Sequence, residues 1–413
     1  MVISLVLVRA MGPAQFGMVS VAFASSILLD SIFGSAIDMC VFRLAPLFLK
    51  SDSTHARQIE KAGMLLKLGG GILLLLPLLV FLGPLSSLLF QDASQGSLLL
   101  WSYGALIGLL LIRSLQAHFQ VEGRYVQYGV SDFAYTLLRF GGVGIILVLI
   151  NNIAPSQVMM VYFLAALTVT VGGLLIWARP LLMAPFRMQA LSELLVPLRS
   201  YLPTIVAGTL ASRTDMFFVT TFVGVAEAGI YGAAQMFAIV PQLLGSYAAA
   251  VFSPKILTLW KQGELRRMYP RYQGLLFLLA VVLYGLVWIL TGPFGSVLFP
   301  AAYGRSSTIV LILLPAGLAA MINFPLTIPI LLYTRPRFLM IVDLISIPLL
   351  TLTYSLALPG KGAAVAAAIC SGWAVLRLLF YQGLALRLLH QDPIGEIWFQ
   401  TESGRQSLGV ASS

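Results

Sequence analysis

The sequence predicts an all-α integral membrane protein. Of its 413 residues, 59% are hydrophobic and only 10% are charged, and the mean hydropathy is +0.95. Soluble domains are about half apolar and about a quarter charged. A water-soluble globular protein is therefore excluded, and the apolar residues suffice for about 12 membrane-spanning helices of roughly 20 residues each.

The predicted spans are apolar runs long enough to cross a bilayer. They cover residues 17–38, 63–90, 97–113, 130–150, 157–178, 203–223, 230–252, 274–291, 307–332, 338–357 and 363–389. A shorter run, Met1 to Val8, precedes Arg9 and would rise only about 12 Å as a helix. We expect it to be the end of a truncated first helix, because no basic residue precedes it as in a signal peptide.

The basic residues are unequally distributed between the two sides of the predicted membrane. With the C-terminus placed in the cytoplasm, most of the 25 Lys and Arg residues, including Lys67 and Arg113, fall in cytoplasmic loops or at cytoplasmic helix ends. This asymmetry is the positive-inside pattern of membrane proteins. It accounts for the net charge of +10 without a nucleic-acid partner. The exceptions are Arg9, Arg305 and Lys361 on the other side, and Arg139 and Arg213 inside spans.

Local patterns recur at a spacing of about 210 residues, which indicates an internal repeat. Residues 12–17 and 224–229 both read G-x-A-x-x-G, and residues 83–90 and 292–299 both read G-P-x-x-S-x-L-F. Arg124 precedes Asp132 as Arg335 precedes Asp343. Several matches in the same order and at nearly constant spacing are hard to attribute to chance.

The repeat predicts two six-helix lobes, at 1–190 and 191–390, followed by a cytoplasmic tail at 391–413. Because each lobe has an even number of spans, the lobes are related by a pseudo-two-fold axis along the membrane normal. Transporters of this plan bind substrate between the lobes near the midplane. Alternating access by rocking of the lobes is the expected mechanism.

Arg139 and Arg213 are candidate substrate-binding residues, because an ionisable side chain inside a span is costly and by default functional. An internal ion pair needed only for packing is the alternative for each. Arg9 closes the first helix fragment and is expected either to reach the membrane interface or to face the cavity.

Carboxylates inside spans are candidates for ion coupling, since such groups exchange protons or hold Na⁺ in secondary transporters. A salt bridge is the alternative, and it is favoured for Asp343 and its repeat equivalent Asp132, beside Arg335 and Arg124. Asp38 is expected to be a surface charge. The ion-coupling candidates are Asp30, Asp215 and Asp343.

The span at 307–332 contains Pro315, Pro325 and Pro329. Proline removes a backbone hydrogen bond, so this helix is predicted to be bent or broken. Asn323 in the same span is a candidate either for a hydrogen bond between helices or for binding a polar substrate.

The segment Pro254–Gln273 interleaves basic residues with Leu and Trp. This pattern is typical of an amphipathic helix lying on anionic membrane lipid. A cytoplasmic loop enriched in positive charge is the simpler interpretation and suffices to explain the pattern.

No motif of an enzyme, a cofactor site or a metal site occurs in the sequence. Cys40 and Cys370 are isolated, so no disulfide and no metal site is predicted. His55, His118 and His390 are far apart. No loop on the outer side is long enough to house a catalytic domain, and we expect neither enzymatic activity nor a cofactor.

Two stretches of the sequence resemble bacterial polysaccharide-biosynthesis flippases. The run R-A-M-G-P-A-Q-F-G at 9–17 is similar to the R-x-L-G-P-x-x-F-G signature of that family. Arg213-Thr214-Asp215, followed by Gly224, Gly229, Tyr231 and Ala234, is similar to its R-x-D and G-x-x-x-x-G-x-Y-x-x-A motifs, and Pro254 stands where the family has a proline. The chain departs from the family at Pro300 and in its short first helix.

The resemblance implies the multidrug/oligosaccharidyl-lipid/polysaccharide exporter (MOP) superfamily, and within it the O-antigen repeat-unit flippases. Such proteins are not enzymes. The implied substrate is an undecaprenyl-diphosphate-linked oligosaccharide, moved across the bacterial plasma membrane for surface polysaccharide synthesis. The implied partners are this lipid-linked oligosaccharide, a polysaccharide polymerase and chain-length proteins. Arg9, Arg139 and Arg213 would then contact the diphosphate, because guanidinium groups bind phosphate bidentately.

Other classes remain as alternatives. An ion-coupled drug/cation antiporter of the same superfamily would need a net acidic cavity, whereas Arg139 and Arg213 favour an anion. A major-facilitator transporter shares the six-plus-six plan, but its G-x-x-x-D-R-x-G-R-R loop is absent. A membrane polymerase of the same pathway usually has a long outer loop, and none is predicted. A passive scaffold would leave the intramembrane arginines unexplained.

Overall fold

The structure is a computed structural model that describes residues 2–150, 153–334 and 336–390. Throughout these ranges the regular elements are helices, with no β-strand. Arg335 and the tail predicted at 391–413 lie outside the described residues, and so do the side chains of Lys255 and Lys261.

The helices follow one another with short connections. They begin with α1 (Val2–Ala10), α2 (Pro13–Asp30), α3 (Ala36–Phe48), α4 (Ser53–Val80), α5 (Leu82–Phe90), α6 (Gly96–Val121), α7 (Tyr125–Leu149) and α8 (Pro155–Ile176). They continue with α9 (Arg179–Met183), α10 (Met188–Phe222), α11 (Val225–Lys261), α12 (Glu264–Leu298), α13 (Gly304–Asn323), α14 (Thr327–Thr334), α15 (Pro336–Ala357) and α16 (Ala363–Leu388). A π-helical turn, Ser31–Ser35, joins α2 to α3.

The residues pack into two compact units. The N-terminal unit comprises Val2 and the described residues of Ala10–Gly229, and the C-terminal unit comprises Ile3–Arg9 and the described residues from Ile230 onward. The lobes predicted at 1–190 and 191–390 follow the sequence repeat, which packing density does not test. They therefore stay a prediction.

Ten helical segments are long and apolar enough to cross a membrane, or eleven if the bent α10 is included, among the described residues. Several helices extend beyond the predicted apolar runs: α4 begins at Ser53 rather than at residue 63, and α10 begins at Met188 rather than at 203. The extensions are polar but remain helical, since hydropathy marks the part of a helix suited to lipid and not the helix ends.

One helix lies at the centre of each unit. In the N-terminal unit α6 packs against α2, α3, α4, α7 and α8, and in the C-terminal unit α13 packs against α12 and α16. Both are among the most buried of the candidate spans. The side chains on α6 therefore face other helices on nearly every side, where polar groups need protein partners.

The proline-rich span is broken, as predicted. Its two parts, α13 and α14, are separated by Phe324, Pro325 and Leu326. Pro315 is accommodated inside α13, so Pro325 marks the break.

The basic segment Pro254–Gln273 does not form a separate amphipathic helix. It comprises the end of α11, a turn, and the first part of α12. The turn requires Gly263, whose φ of 74° lies in the left-handed region. The prediction of one lipid-lying helix is wrong, because this glycine turn reverses the chain in the middle of the segment.

The two G-x-A-x-x-G motifs contact each other within the N-terminal unit. A Cβ at Gly17 of α2 would overlap the carbonyl oxygen of Val225, and a Cβ at Gly229 would overlap the carbonyl oxygen of Pro13. The contact is reciprocal, since the sixth residue of each motif meets the second residue of the other. Small residues allow such close approach of helices, which explains glycine at both positions.

We expect Gly17→Ala to lower the free energy of unfolding by about 1–3 kcal/mol, because the added methyl group meets backbone that must shift. Gly141→Ala in α7 is the matched control, since a Cβ there would meet nothing within 4 Å. Unfolding of both variants in detergent measures the difference. Equal stability of the two variants would contradict the close packing of α2 on the first turn of α11.

Candidate functional site

A group of buried charges in the N-terminal unit lies on α2, α3, α4 and α6. Asp30, the last residue of α2, is fully buried, and its Oδ2 lies 2.9 Å from Nε of Arg113 on α6. The following π-helical turn holds Gly34 against this carboxylate, where a Cβ would crowd Oδ1. Arg113 does not lie at a loop end as the sequence indicated, because α6 continues to Val121.

A second buried ion pair joins α3 to α4. Nζ of Lys67 donates to Oδ1 of Asp38, and the Lys67 side chain is 1% exposed. Asp38 was expected to be a surface charge, and this prediction is wrong. Lys67 was expected at a cytoplasmic helix end, but α4 begins earlier, at Ser53. The two helices are antiparallel neighbours whose contact brings the oppositely charged groups together inside the unit.

A third cluster lies closer to the loop between α6 and α7. His118 on α6 is hydrogen-bonded through Nδ1 to Oε2 of Glu60 on α4, and both residues are buried. Glu122, just after α6, receives Arg57 at 3.4 Å and Arg124 at 2.9 Å. Sequence analysis noted His118 but found no partner for it, because Glu60 is distant in the chain.

The three pairs follow each other along the helices, and we call them the charged ladder: Glu60 with His118, Asp38 with Lys67, and Asp30 with Arg113. Along α4, Lys67 lies about 10 Å beyond Glu60, and along α6, Arg113 lies about 7.5 Å beyond His118. Lys67 and Arg113 both interact electrostatically with Asp30. The ladder therefore runs from the α6–α7 loop into the membrane-spanning part of the unit.

Arg139 of α7 is held by aromatic rings. Its guanidinium carbon lies 4.1 Å from the ring centroid of Tyr135 and 5.1 Å from that of Tyr162 on α8. Its Nε is buried and has no hydrogen-bond partner among the described residues. Tyr135 also interacts electrostatically with Arg113 and Asp30. The structure thus brings two candidates, Arg139 and Asp30, into one neighbourhood together with Arg113.

The other predicted residues lie elsewhere. Arg213 is half-buried and Asp215 is buried, both on α10. Arg9 is exposed at the end of α1. Asp132 is exposed on α7 and receives a hydrogen bond from Gln116, whereas Arg124 pairs with Glu122. The expected pairing of Arg124 with Asp132 is therefore not found.

Asn323 belongs to a neutral polar cluster in the C-terminal unit. Nε2 of Gln382 donates to Oδ1 of Asn323 at 3.2 Å and to the hydroxyl of Thr327 at 3.0 Å. The same hydroxyl accepts from Nε2 of Gln273 at 3.0 Å, and Tyr269 donates to Gln382 at 2.6 Å. These bonds connect α12, α13, α14 and α16 at the helix break. Of the two alternatives for Asn323, the hydrogen bond between helices is found.

Asp343 forms the salt bridge that was favoured for it, but with a different partner. Its Oδ1 lies 2.7 Å from Nη2 of Arg377 on α16, and the same nitrogen donates to the Tyr381 hydroxyl at 3.1 Å. Arg377 was expected at a cytoplasmic helix end. The packing of α15 against α16 places it opposite the carboxylate.

The Lys67–Asp38 pair gives a stability prediction. Lys67→Met leaves a buried carboxylate without its cation and should lower the free energy of unfolding by about 3–5 kcal/mol. Adding Asp38→Val should recover most of this loss. Lys361→Met, at an exposed position, is the control for the substitution itself. If unfolding in detergent showed no recovery in the double variant, the pair would not be the source of the effect.

The neutral polar cluster around Asn323 gives a second stability prediction. Thr327→Val removes the acceptor shared by Gln273 and Gln382, and leaving buried amide groups unpaired costs about 1–3 kcal/mol. Thr353→Val removes an equivalent hydroxyl at an exposed helix position and should cost less. Thermal unfolding of both variants tests this, and a larger loss for Thr353→Val would refute the role given to Thr327.

Solved structures share this fold. An inward-facing multidrug resistance transporter of the MATE family of the MOP superfamily aligns with a TM-score of 0.71, 10% identity and 94% coverage of both chains. The lipid II flippase MurJ, in an inward closed conformation, aligns with a TM-score of 0.68, 13% identity and coverage of 94% of this chain and 88% of its own. The Vibrio cholerae MATE transporter VcmN has a TM-score of 0.58, 14% identity and coverage of 95% and 100%.

These likenesses establish the fold. No family model and no curated protein matches the sequence, and at such low identities a structural likeness does not extend to the substrate. The predicted all-α membrane fold is confirmed, and the chain has the fold of MATE and MurJ transporters.

Proposed function

We propose that this chain is a flippase for undecaprenyl-diphosphate-linked oligosaccharide repeat units, acting by alternating access in the bacterial plasma membrane for surface polysaccharide synthesis. The diphosphate is the part of the substrate that cannot cross hydrocarbon unaided, so the protein must supply compensating cations. The lipid tail stays in the bilayer while the headgroup passes through the protein. The resemblance of residues 9–17 and 213–234 to polysaccharide flippases supports the substrate class.

The observation that carries the proposal is the neighbourhood of Tyr135. The guanidinium carbon of Arg139 lies 4.1 Å from the centroid of this ring. Arg113 interacts electrostatically with Tyr135 as well. Asp30 neutralises only one of the two guanidinium charges. Nearly half of the Arg113 side chain is exposed. The charge of Arg139 is retained, because its partners are the neutral rings and the Thr136 hydroxyl, which accepts from Nη2 at 3.5 Å. Two guanidinium groups can each contact one phosphate of a diphosphate, and their one positive charge in excess offsets part of its negative charge.

Other parts of the proposal rest on the sequence. Arg9 and Arg213 would contact the headgroup along its path, and Asn323 would bind a polar group of the saccharide. Asp30, Asp215 and Asp343 would couple transport to an ion gradient. The C-terminus would be cytoplasmic, and a polysaccharide polymerase and chain-length proteins would act on the exported unit.

An ion-coupled drug/cation antiporter is the second candidate, and the MATE likeness favours it. Such a site needs uncompensated carboxylates facing the substrate. In the charged ladder, however, Asp30 and Asp38 lie beside Arg113 and Lys67. Asp215 is the buried carboxylate to which this alternative would assign the cation.

Arg139→Ala should reduce rescue of a repeat-unit flippase deletion, with lipid-linked intermediate accumulating, because the anionic headgroup loses a charged donor. The expected loss of flux is about 10–100-fold, the equivalent of one charge-assisted hydrogen bond. Arg139→Lys keeps the charge but not the planar fork, and should retain intermediate activity. Surface polysaccharide and accumulated intermediate are the quantities measured.

The matched control is Arg267→Ala, which removes an exposed arginine of α12 and should leave rescue unchanged. Membrane levels of each variant are measured in parallel. If a well-expressed Arg139→Ala protein rescued the deletion as well as the wild-type protein does, Arg139 would not bind the anionic headgroup as proposed. Resistance to cationic drugs without any rescue of polysaccharide would instead favour the antiporter.

A further inference from the structure

The His118–Glu60 pair has two atoms without a hydrogen-bond partner in the described part of the chain. They are Nε2 of His118 and Oε1 of Glu60, and both are buried. His118 is 1% exposed and Glu60 is 5% exposed. Unsatisfied buried polar atoms are costly, so a pair that serves only packing has no reason to keep two of them.

A small cavity adjoins the pair. It is lined by the pair itself and by Asp38, Lys67 and Ser114, and it has room for about one water molecule. Its walls contain donors and acceptors from α3, α4 and α6. A water molecule there would connect the His118–Glu60 pair with the Lys67–Asp38 pair, which is the next step of the charged ladder.

The ring of His118 lies between two carboxylates. Nδ1 faces Glu60, and Nε2 lies 3.7 Å from Oε2 of Glu122. When His118 is neutral and Nδ1 carries the proton, Nε2 is an acceptor opposite an acceptor. A proton on Nε2 turns this unfavourable contact into a charge-assisted one.

Most of the other charged groups around the ring are engaged with partners of their own. Lys61 is bound to carbonyl oxygens of the α9 region, Glu193 of α10 is engaged by His55, and α8 carries no charged residue. The ionisable groups that face the pair are Asp38 of α3, Arg57 and Lys67 of α4, Glu122 after α6, and Arg124 before α7.

We propose that His118 and Glu60 form a proton-binding site, filled by one proton that water in the adjoining cavity delivers to Nε2 of His118. The lone pair of Nε2 accepts the proton from a hydronium ion, which leaves as water. The pair passes from one net negative charge to neutral, and release reverses the step. The site is separate from Asp30, Asp215 and Asp343. Its use in driving transport rests on the proposed function, whereas proton binding does not.

The test follows the ring nitrogens directly. The chain has three histidines, so protein labelled with ¹⁵N at histidine gives few ring-nitrogen NMR signals. The signal that is lost in His118→Gln is that of His118. In purified, reconstituted protein studied across a pH range, we expect the His118 ring to gain its second protonated nitrogen on acidification. Glu60→Gln should suppress this change by removing the carboxylate opposite Nδ1. A His118 ring that keeps one protonated nitrogen throughout would overturn the proposal.

The His55–Glu193 pair is the matched control. It has a similar contact, at 2.9 Å, but both side chains are partly exposed. Glu193→Gln should leave the His118 signal unchanged. If Glu60→Gln does not fold, Glu122→Gln replaces it and should also suppress the protonation of His118. Unchanged protonation of His118 in Glu122→Gln would contradict the two-carboxylate site.

A second measurement separates this site from the proposed function. Flipping of a fluorescent polyprenyl-diphosphate saccharide is followed in proteoliposomes across the same pH range. Wild-type rates should vary about tenfold with pH, and His118→Gln rates less than about twofold. Protonation of His118 without flipping would support the proton-binding site and contradict the proposed flippase function. If His118→Gln flipped the substrate with the same pH dependence as the wild-type protein, the site would have no role in transport.

Discussion

A carboxylate inside a membrane-spanning helix needs a cation beside it, and this requirement organises the N-terminal unit. An unpaired charge in surroundings of low dielectric costs several kcal/mol, whereas a pair with good geometry offsets much of that cost. In the charged ladder each carboxylate has a basic partner on a neighbouring helix, supplied by α4 or α6. The pairs therefore fix how α2 and α3 lie against these two helices. Because α6 packs against several helices, its basic side chains Arg113 and His118 contact carboxylates of neighbouring helices.

Composition and hydropathy were sufficient to predict the fold class, because burial in lipid imposes an apolar length that is visible in any window of about 20 residues. They were not sufficient for the site. Asp38 and Lys67 looked like surface charges because each stands near the end of an apolar run. Their contact depends on the antiparallel packing of α3 on α4, and no local period contains that information. Arg139 and Asp30 were found because depth inside a span is itself a signal, whereas Glu60 lies in a polar stretch and gave none.

The two units handle buried polarity differently. The N-terminal unit has several ion pairs along its helices, whereas the C-terminal unit has the Asp343–Arg377 pair and a neutral hydrogen-bonded cluster where Pro325 interrupts a helix. A broken helix exposes backbone groups that must find partners inside the protein. Thr327 and Asn323 flank this break, and their side chains bond to Gln382 of α16. The prolines predicted the break from sequence, but the cluster around it could not be predicted, because Tyr269 and Gln382 come from distant helices.

The way in which Arg139 is held bears on the charge of the ligand. An ion pair both positions a guanidinium and cancels its charge, and it consumes the N–H groups that point toward the carboxylate. Stacking on Tyr135 and Tyr162 positions the group through its face, and one of its N–H groups donates to the Thr136 hydroxyl at 3.5 Å. None of these neutral partners cancels the charge, which is therefore retained at a depth where water is scarce. Because Asp30 and Asp38 are balanced by Arg113 and Lys67, the charge of Arg139 stands in excess in this part of the unit. A preference for an anion follows from the partners of this arginine and not from its depth alone.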